Sequence, residues 1–254
     1  MHRRLPSDIA VQCDDLSVAR GGVRVAEGIS FRLAPGGAFA LMGPTGSGKS
    51  SLAAVIAGDA DPSLSIVGGV GFVDGIPMRK GGRPLRVRSY LTGYLAQGAG
   101  AALAARLTVA ELIGEPVTSR DRRVNQRALS YRIAGLLDEL QLPLGSASKY
   151  PYELSSGMRQ RVALARALVL EPRVFVGDDP YANLDPEVRV ASRDALLRRR
   201  DEERMAIVVV TNDAQTVREL DADVLVLRGG HPVGYGHGTG DVLWTPDEET
   251  RLVS

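Results

Sequence analysis

The chain has 254 residues, of which 44% are hydrophobic, and its formal net charge is +1. This length suits one sizeable α/β core, and at a near-neutral charge no strong field favours nucleic acid or an anionic membrane surface as a partner. The lone Cys13 excludes an intramolecular disulfide framework. No apolar run reaches the roughly 18 residues of a membrane span, and the start lacks an apolar signal core, so we expect a cytoplasmic protein.

The first part of the chain predicts β structure followed by a glycine-rich loop. Strand-like runs separated by Gly and Pro turns cover residues 9–13, 29–33 and 38–42. The last run leads directly into the loop, and a helix-forming apolar segment follows at residues 51–57. A chance lysine in a glycine-rich turn is the alternative interpretation, but the flanking strand and helix favour a phosphate-binding loop.

This loop matches the P-loop pattern G-x-x-x-x-G-K-[ST]. It consists of Gly43, Pro44, Thr45, Gly46, Ser47, Gly48, Lys49 and Ser50. The glycines allow a backbone that a Cβ would block, so successive N–H groups can point into one concavity and hold phosphate oxygens. The helix that begins at the end of the loop adds its positive dipole end. Lys49 is predicted to reach the β- and γ-phosphates, and the Ser50 hydroxyl to bind Mg²⁺.

Beyond the loop, predicted strands and helices alternate. Residues 67–73 and 93–96 read as strands, and residues 98–160 are mainly helical, with one apolar helix face between 124 and 142. The remaining segments, strand and helix in turn, are 174–176, 186–200, 207–210, 214–220 and 224–227. This alternation predicts a parallel sheet interrupted by an inserted helical sub-domain. The polar tail at 239–254 is expected to be a short helix or loosely folded.

Two aspartates end the strand at residues 174–177. An acidic residue at the end of a buried strand, in a chain with a P-loop, is where an NTPase anchors Mg²⁺. Asp178 is therefore predicted to hold the ion, directly or through water. Asp179 follows, where a carboxylate can orient or deprotonate the attacking water. Without the P-loop, a plain Asp-Asp-Pro turn would be the favoured interpretation.

Further motifs occur in an order that resembles the nucleotide-binding subunit of ABC transporters over nearly the whole chain. Residues 154–162 resemble the signature sequence of that family, 174–180 its Walker B strand and 182–185 its D-loop, while Gln97 resembles the Q-loop glutamine. Residues 222–230 are similar to its last core strands. Within the family, the segments around Tyr150-Pro151-Tyr152 and Thr108-Val109-Ala110 look most like the peptide- and nickel-type importers.

The resemblance implies an α/β fold of the ABC-type P-loop NTPases. That fold has a mixed sheet core with an N-terminal antiparallel β sub-domain, here at residues 1–97 and 161–254, and a helical sub-domain at 98–160. It also implies ATP and Mg²⁺ as cofactors and a head-to-tail dimer. In such a dimer, ATP lies between the P-loop of one subunit and the signature of the other.

The resemblance also implies roles for individual residues. Residues implied to bind ATP are Arg20, the P-loop with Ser51, and, toward the nucleotide of a partner, Ser155, Ser156, Gly157 and Asp185. Ser50, Gln97 and Asp178 are implied to bind the metal, and Lys49, Gln97, Asp179 and Asn212 to take part in catalysis. Ser155 and Gly157 would open a helix and offer a hydroxyl and free N–H groups to a γ-phosphate.

Partners follow from the same resemblance. Transmembrane permease subunits would contact the Gln97 loop and the helical segment that follows it. A second ABC ATPase subunit would complete the dimer, a solute-binding protein would belong to the same system, and no nucleic acid is expected. The chain would then lie peripherally on the cytoplasmic face of the cell membrane.

Four positions depart from the pattern of the family. Asp179 stands where Glu is usual and is one methylene shorter, about 1.5 Å of reach, an error that can cost about 10²-fold in rate. Asn212 stands where His is usual and cannot shuttle a proton at neutral pH. Arg20 replaces an adenine-stacking aromatic residue, which weakens or alters the contact with the base. Ser156 replaces the first signature glycine.

These departures predict a chain that binds Mg·ATP well but hydrolyses it poorly at its own P-loop. We therefore expect a heterodimer with a second, more typical ATPase subunit that drives transport. One alternative is a fully active homodimeric importer ATPase, in which Asp179 and Asn212 suffice. Another is a regulatory nucleotide-binding subunit outside transport. The helical segment has no sustained heptads, and the chain has one P-loop, which disfavours ABC ATPases that act on DNA or ribosomes.

Overall fold

The computed structural model of the chain describes residues 8–79, 81–121 and 123–244. Its strands are, in chain order, β1 (Val11–Arg20), β2 (Val23–Leu33), β3 (Ala38–Met42), β4 (Leu64–Val73), β5 (Ile76–Pro77), β6 (Thr92–Leu95), β7 (Val174–Asp178), β8 (Ala206–Val210), β9 (Asp223–Arg228), β10 (His231–His237) and β11 (Asp241–Trp244). Its α-helices are α1 (Lys49–Ala57), α2 (Arg83–Leu91), α3 (Val109–Thr118), α4 (Gln126–Glu139), α5 (Ser156–Leu168), α6 (Pro186–Glu203) and α7 (Ala214–Leu220).

The N-terminal strands form an antiparallel sheet in the order β2-β1-β4-β5. Val11 of β1 lies opposite Leu33 of β2 on one side and opposite Val73 of β4 on the other. The buried side chains of this sheet share one apolar core with α1. Phe31 of β2 stacks on Phe39 of β3, with 4.1 Å between ring centroids, so this core joins the small sheet to the larger one.

The larger sheet has the strand order β11-β10-β9-β3-β8-β7-β6. Strands β3, β6, β7, β8 and β9 run parallel, whereas β10 and β11 are added antiparallel at one edge. The central strands are nearly continuous apolar runs buried on both faces, as parallel strands between two helical layers must be. This mixed sheet, together with the separate antiparallel one, confirms the predicted α/β architecture.

The carboxyl ends of four neighbouring parallel strands bring the predicted site residues to one edge of the larger sheet. β3 leads into the P-loop, β8 into Asn212, β7 into Asp179 and β6 into Gln97. Because β3, β8, β7 and β6 are consecutive in the sheet, their terminal loops lie side by side. The topology alone therefore gathers segments that are far apart along the chain.

A second apolar core lies on the other face of the larger sheet and includes α3, α4 and α5. In the segment predicted to be mainly helical, residues 98–160, the first α-helix is α3, and it starts at a capping box. In it, the Thr108 hydroxyl accepts from the Glu111 N–H, and the Glu111 carboxylate accepts from the Thr108 N–H. Residues 98–107 are turns and irregular chain.

Several elements of the structure differ from the sequence-based expectations. Helix α2 and strand β10 were not predicted. The expectation for the tail is wrong at β11, which pairs antiparallel with β10, while residues 245–254 lie outside the described residues. Within the described part of the chain, no helix is both long and apolar enough to cross a membrane.

Candidate functional site

The backbone of the P-loop requires glycine at two positions. Gly43 has φ +131°, and a Cβ there would lie 2.0 Å from the Leu227 carbonyl oxygen. Gly48, which precedes α1, has φ +93°, and a Cβ there would lie 1.9 Å from the Val25 carbonyl oxygen. Both distances are far below van der Waals contact. The prediction that a Cβ would block this loop is therefore confirmed at both glycines.

Lys49 is buried beneath the loop and bonded to it. Its Nζ donates to the Gly43 carbonyl oxygen at 2.7 Å and to the Pro44 carbonyl oxygen at 2.8 Å, and lies 3.3 Å from the Ser47 Oγ. Burial lowers the pKa of the Lys49 amine from its ordinary value, and the nearby Asp178 and Asp179 carboxylates oppose this shift. The loop thus holds a cation at its centre.

Asp178 ends β7 with a carboxylate that fits a metal ligand. The residue is 2% exposed, and its Oδ2 has no hydrogen-bond partner in the described structure. Burial raises the pKa of Asp178, while the neighbouring Ser50 hydroxyl and Lys49 amine oppose the shift. A buried carboxylate oxygen without a partner, beside a hydroxyl, matches the hard oxygen ligands that Mg²⁺ prefers. Asp178 and Ser50 would hold the ion, and a nucleotide phosphate would supply further oxygens.

Asp179 lies one residue further in a left-handed backbone conformation, with φ +50°. This conformation is sparsely populated for residues other than glycine, although aspartate tolerates it better than most. Its N–H donates to the Val210 carbonyl oxygen at 3.0 Å, which ties the turn to the end of β8. Burial raises the pKa of the Asp179 carboxyl, against the opposing effect of Lys49.

Asn212, after β8, contacts the P-loop directly. Its Oδ1 accepts a hydrogen bond from the Gly43 N–H at 2.9 Å. The oxygen of the amide is thus used to hold the loop, and the Nδ2 group is left as the donor. Gln97, two residues beyond β6, lies on the cavity wall next to these groups.

Arg20, at the end of β1, lies at the mouth of the cavity. Its Nε donates to the Ser51 Oγ at 3.2 Å, and its Nη1 pairs with the Asp61 Oδ2 at 2.9 Å. These contacts hold the guanidinium beside the start of α1. A planar cation is therefore presented where the resemblance places a nucleotide base.

These residues enclose one cavity of about 310 Å³. The predicted residues that line it are Arg20, Thr45, Gly46, Ser47, Gly48, Lys49, Ser50, Ser51, Gln97, Asp178, Asp179 and Asn212. Val25, Val210 and Thr211 also line it and were not predicted. Gly43 and Pro44 do not line it, but both bond to Lys49 and Gly43 also bonds to Asn212. Ser155, Ser156, Gly157 and Asp185 are not among its lining residues.

The signature residues lie instead on the exposed surface at the start of α5. Ser155 is the N-cap of that helix, and its Oγ accepts from the Met158 N–H at 3.2 Å, as predicted. Ser155 and Ser156 are both exposed. A Cβ on Gly157 would lie 3.2 Å from the Asn183 carbonyl oxygen, so the signature packs beside the D-loop segment.

The sequence analysis missed a group of residues behind the site. Arg189 of α6 pairs with Asp213, which directly follows Asn212, and its guanidinium lies over the ring of Tyr181. Closeness along the chain could have drawn attention to these residues, since Arg189 is four residues after Asp185 and Tyr181 is two residues after Asp179. The contacts themselves join residues that are distant in sequence, so no local pattern indicates them.

Fold and site together define a P-loop ATPase cassette with ATP and Mg²⁺ as its cofactors. The chain belongs to the ABC transporter family, whose model, described as "ABC transporter", matches residues 26–182. It is 36% identical over 216 residues to a ferric ion import ATP-binding protein of Pseudomonas fluorescens, covering 85% of this chain. It is 32% identical over 247 residues to a phosphate import ATP-binding protein of Aeropyrum pernix, covering 94% of each chain.

Coverage of the relatives differs. The chain spans 58% of the Pseudomonas protein and 62% of a sulfate/thiosulfate import ATP-binding protein of Nitrosomonas europaea, to which it is 34% identical over 94% of its own length. Among solved structures, the ATP-binding cassette MJ0796 bound to ADP and Pi superposes with a TM-score of 0.81 at 24% identity, covering 89% of this chain and 98% of that one. This likeness shows the same fold.

Proposed function

We propose that this chain is the ATP-binding subunit of an ABC membrane transporter, in which bound Mg·ATP drives substrate translocation by membrane partners. The observation that carries the proposal is the cavity that brings Lys49, Ser50 and Asp178 together in a cassette of this family. The relatives are named for the import of ferric ions, sulfate or thiosulfate, and phosphate. Their names support an importer, and the peptide- or nickel-type assignment stays a prediction.

A second cassette would complete the site. Ser155, Ser156 and Asp185 are exposed and lie outside the cavity of their own chain. An exposed helix N-terminus with free N–H groups is suited to a phosphate that another subunit holds. In the proposed head-to-tail dimer, each chain would offer its P-loop to one nucleotide and its signature to the other.

We infer that the P-loop of this chain binds ATP but turns it over slowly, and that a second, more typical subunit forms the other half of a heterodimer. The support is chemical. Asp179 has a shorter reach than the usual Glu. The Oδ1 of Asn212 already accepts a hydrogen bond from the Gly43 N–H, and its side chain has no titratable group near neutral pH.

An active homodimer is the second candidate, and one observation favours it. Burial raises the pKa of Asp179. A carboxylate with a raised pKa is a stronger base and transfers protons better near neutral pH. In this version, Asp179 and Asn212 would support turnover without a second kind of subunit.

The ATPase activity of the purified chain separates these candidates. A slow rate that hardly depends on protein concentration, together with tight ATP binding, supports the heterodimer. Robust, cooperative hydrolysis that Lys49→Ala abolishes would overturn it and support the homodimer. Failure to bind ATP at all would contradict the proposed function itself, because the P-loop would then serve no nucleotide.

We further propose that a groove on another face binds a permease subunit. The groove has a volume of about 820 Å³ and lies between the end of α1, α2, β6, α3 and α5. Its charged lining includes Arg86, Arg120 and Arg166, of which Arg166 pairs with Glu115 of the same groove at 2.7 Å, and Tyr90 adds an exposed ring. Thr92 to Tyr94 of β6 line it, and Gln97 beyond that strand lines the nucleotide cavity. Helix α3 belongs to residues 98–160, which we propose as the inserted helical sub-domain.

Co-purification tests the groove. The tagged chain should bring a multi-span membrane protein out of detergent-solubilised membranes and should be peripheral to the cytoplasmic face. Tyr90→Glu should lose this partner, because it places a charge at the apolar ring of the groove. Tyr131→Glu is the matched control, since Tyr131 is an exposed tyrosine of α4 away from the groove. Equal retention by both variants would contradict this docking surface, and absence of any membrane partner would contradict transport.

A further inference from the structure

Arg189, in the first turn of α6, links that helix to α7. Its Nη2 donates to the Asp213 Oδ2 at 2.6 Å and to the Thr216 Oγ1 at 3.0 Å, and lies 3.4 Å from the Glu219 Oε2. Charge-assisted hydrogen bonds of this kind are roughly twice as strong as neutral ones. One guanidinium therefore fixes the start of α6 to the start of α7.

The same side chain covers the turn that carries Asp179. The Arg189 guanidinium lies over the Tyr181 ring, 5.2 Å from its centroid. Tyr181 is 7% exposed, so the contact is shielded from water and favourable. Arg189 thus contacts the turn after β7 through Tyr181 and the turn after β8 through Asp213, while its own helix begins directly after Asp185.

Asp213 passes this restraint to its neighbour Asn212. The Asp213 carboxylate accepts from the Gln215 N–H at 2.9 Å, and the Asp213 N–H donates to the Thr211 Oγ1 at 3.1 Å. Asn212 therefore sits in a turn that is fixed at both ends. Its Oδ1 in turn accepts from the Gly43 N–H of the P-loop.

We propose that Arg189 is a positioning residue that holds Asn212 against the P-loop and so connects the D-loop helix to the nucleotide cavity. The contacts form a continuous path from Arg189 through Asp213 and Asn212 to Gly43. A shift of α6, which begins at the D-loop, would alter the position of the asparagine amide. The consequence for ATP turnover rests on the proposed function, whereas the consequence for the Asn212–Gly43 hydrogen bond does not.

Arg193 provides a matched control one turn along the same helix. It pairs with Asp194 at 2.8 Å and with Glu219 at 3.5 Å. Among the described contacts, it has none with Asp213 or Tyr181. Replacing Arg193 removes the same charge from α6 and leaves the proposed path intact.

Hydrogen exchange of the Gly43 amide, followed by NMR on the isotopically labelled full chain, tests the positioning directly. Arg189→Gln should raise the exchange rate of this amide about five- to tenfold, as expected for a weakened hydrogen bond. Arg189→Lys should raise it less, because the lysine keeps the charge. Arg193→Gln should leave it within about twofold of the wild type.

A double variant shows whether Arg189 acts through Asn212. Exchange at Gly43 in Arg189→Gln/Asn212→Ala should equal that in Asn212→Ala alone, because the path is already cut. Additive effects, an unchanged Gly43 amide in Arg189→Gln, or an equal response in Arg193→Gln would each overturn the proposal.

Turnover gives a second readout. In a preparation that hydrolyses ATP, Arg189→Gln should lower kcat and leave the KM for ATP within about twofold. A rise in KM with kcat unchanged would show that Arg189 only supports binding and would overturn the positioning role. If the chain binds no ATP while the Gly43 amide responds as expected, the proposed function fails and the positioning role stands.

Discussion

At the scale of single residues, the proposed slow turnover of ATP rests on Asp179 and Asn212. If they limit turnover, Asp179→Glu with Asn212→His should raise the rate at saturating ATP by roughly 10- to 100-fold, because a reach of about 1.5 Å is restored. The Kd for ATP should change little, since Lys49, Ser50 and Asp178 are untouched. Asp179→Asn is the control and should lower the rate. An unchanged rate in the restored variant would show that neither residue is limiting.

In the proposed function, Arg20 contacts the nucleotide base. Its guanidinium is already bonded to Ser51 and Asp61, so it is less free to stack on a base than an aromatic ring at the same place. Arg20→Tyr should tighten ATP binding about five- to tenfold, in line with the energy of stacking one base on an aromatic side chain. Inorganic tripolyphosphate, which has no base, should bind both proteins alike. Titration calorimetry with both ligands checks this, and equal gains for the two ligands would contradict a base contact.

At the scale of elements, the P-loop depends on the strands around it. Gly43→Ala would push a Cβ against the Leu227 carbonyl of β9, whereas Gly46, at φ +82°, has open space around it. Gly43→Ala should therefore cost several kcal/mol of unfolding free energy, well above the roughly 1–2 kcal/mol that Gly46→Ala costs for its left-handed backbone alone. Thermal unfolding of both variants checks the difference. Equal losses would mean that the loop moves away from β9 at little cost.

The N-cap of helix α7, Asp213, should make the unfolding free energy of the chain fall in acid. Burial raises the pKa of Asp213, but hydrogen bonds from Arg189, Thr216 and the Gln215 backbone outweigh it and lower the pKa to about 2. Because the folded pKa lies below the ordinary value of 3.8, this contribution to stability is present above pH 3.8 and is lost as the pH falls toward about 2.

The matched variant for this response is Asp213→Asn, which keeps a capping side chain and removes the charge. The unfolding free energy from urea titrations should fall less steeply in the variant as the pH is lowered from above 3.8 to about 2. Parallel pH curves for the two proteins would show that Asp213 does not carry the effect.

The sequence predicted the elements whose local pattern agrees with the fold. Residues 214–220 were predicted as a helix and are α7, because an N-cap aspartate precedes a short amphipathic segment. Helix α2 was missed because its one fully buried side chain is Arg88, so it has no apolar stripe. Strand β11 was missed because it is an edge strand whose large side chains, Leu243 and Trp244, are 80% and 60% exposed.

The site followed the same rule. The P-loop could be predicted because it is a contiguous motif directly after a recognisable strand. Asp178 and Asp179 could be predicted because they are adjacent residues at the end of another such strand. The Asn212–Gly43 hydrogen bond and the Arg189 contacts join residues far apart along the chain. Such pairings depend on strand order and helix packing, which the sequence pattern does not specify.

At the scale of the whole molecule, a shielded ion pair joins the helical segment to the sheet-bearing core. Glu139 of α4 and Arg199 of α6 form two hydrogen bonds, at 2.7 and 2.8 Å, and their side chains are 12% and 11% exposed. Glu139→Ala should destabilise the chain by roughly 2–4 kcal/mol, because it leaves the arginine charge buried without its partner. Urea unfolding measures this loss.

Removing both partners gives the discriminating comparison. Glu139→Ala with Arg199→Met should recover a large part of the lost stability, since no buried charge remains uncompensated and Arg198, the other partner of Glu139, is exposed. A double variant less stable than Glu139→Ala alone would show that Arg199 stabilises the fold through its other contact, to the Ala195 carbonyl.

The P-loop is closed on itself by Lys49, whose amine is bonded to the loop's own carbonyl oxygens at Gly43 and Pro44. A phosphate that reaches Lys49 must therefore exchange these hydrogen bonds rather than add to them, and the enthalpy gained per bond is small. The loop is already ordered by the same contacts, so binding costs little conformational entropy. Charge attraction to Lys49 is left as a source of affinity, and because this amine is buried, dissolved salt screens the attraction only weakly.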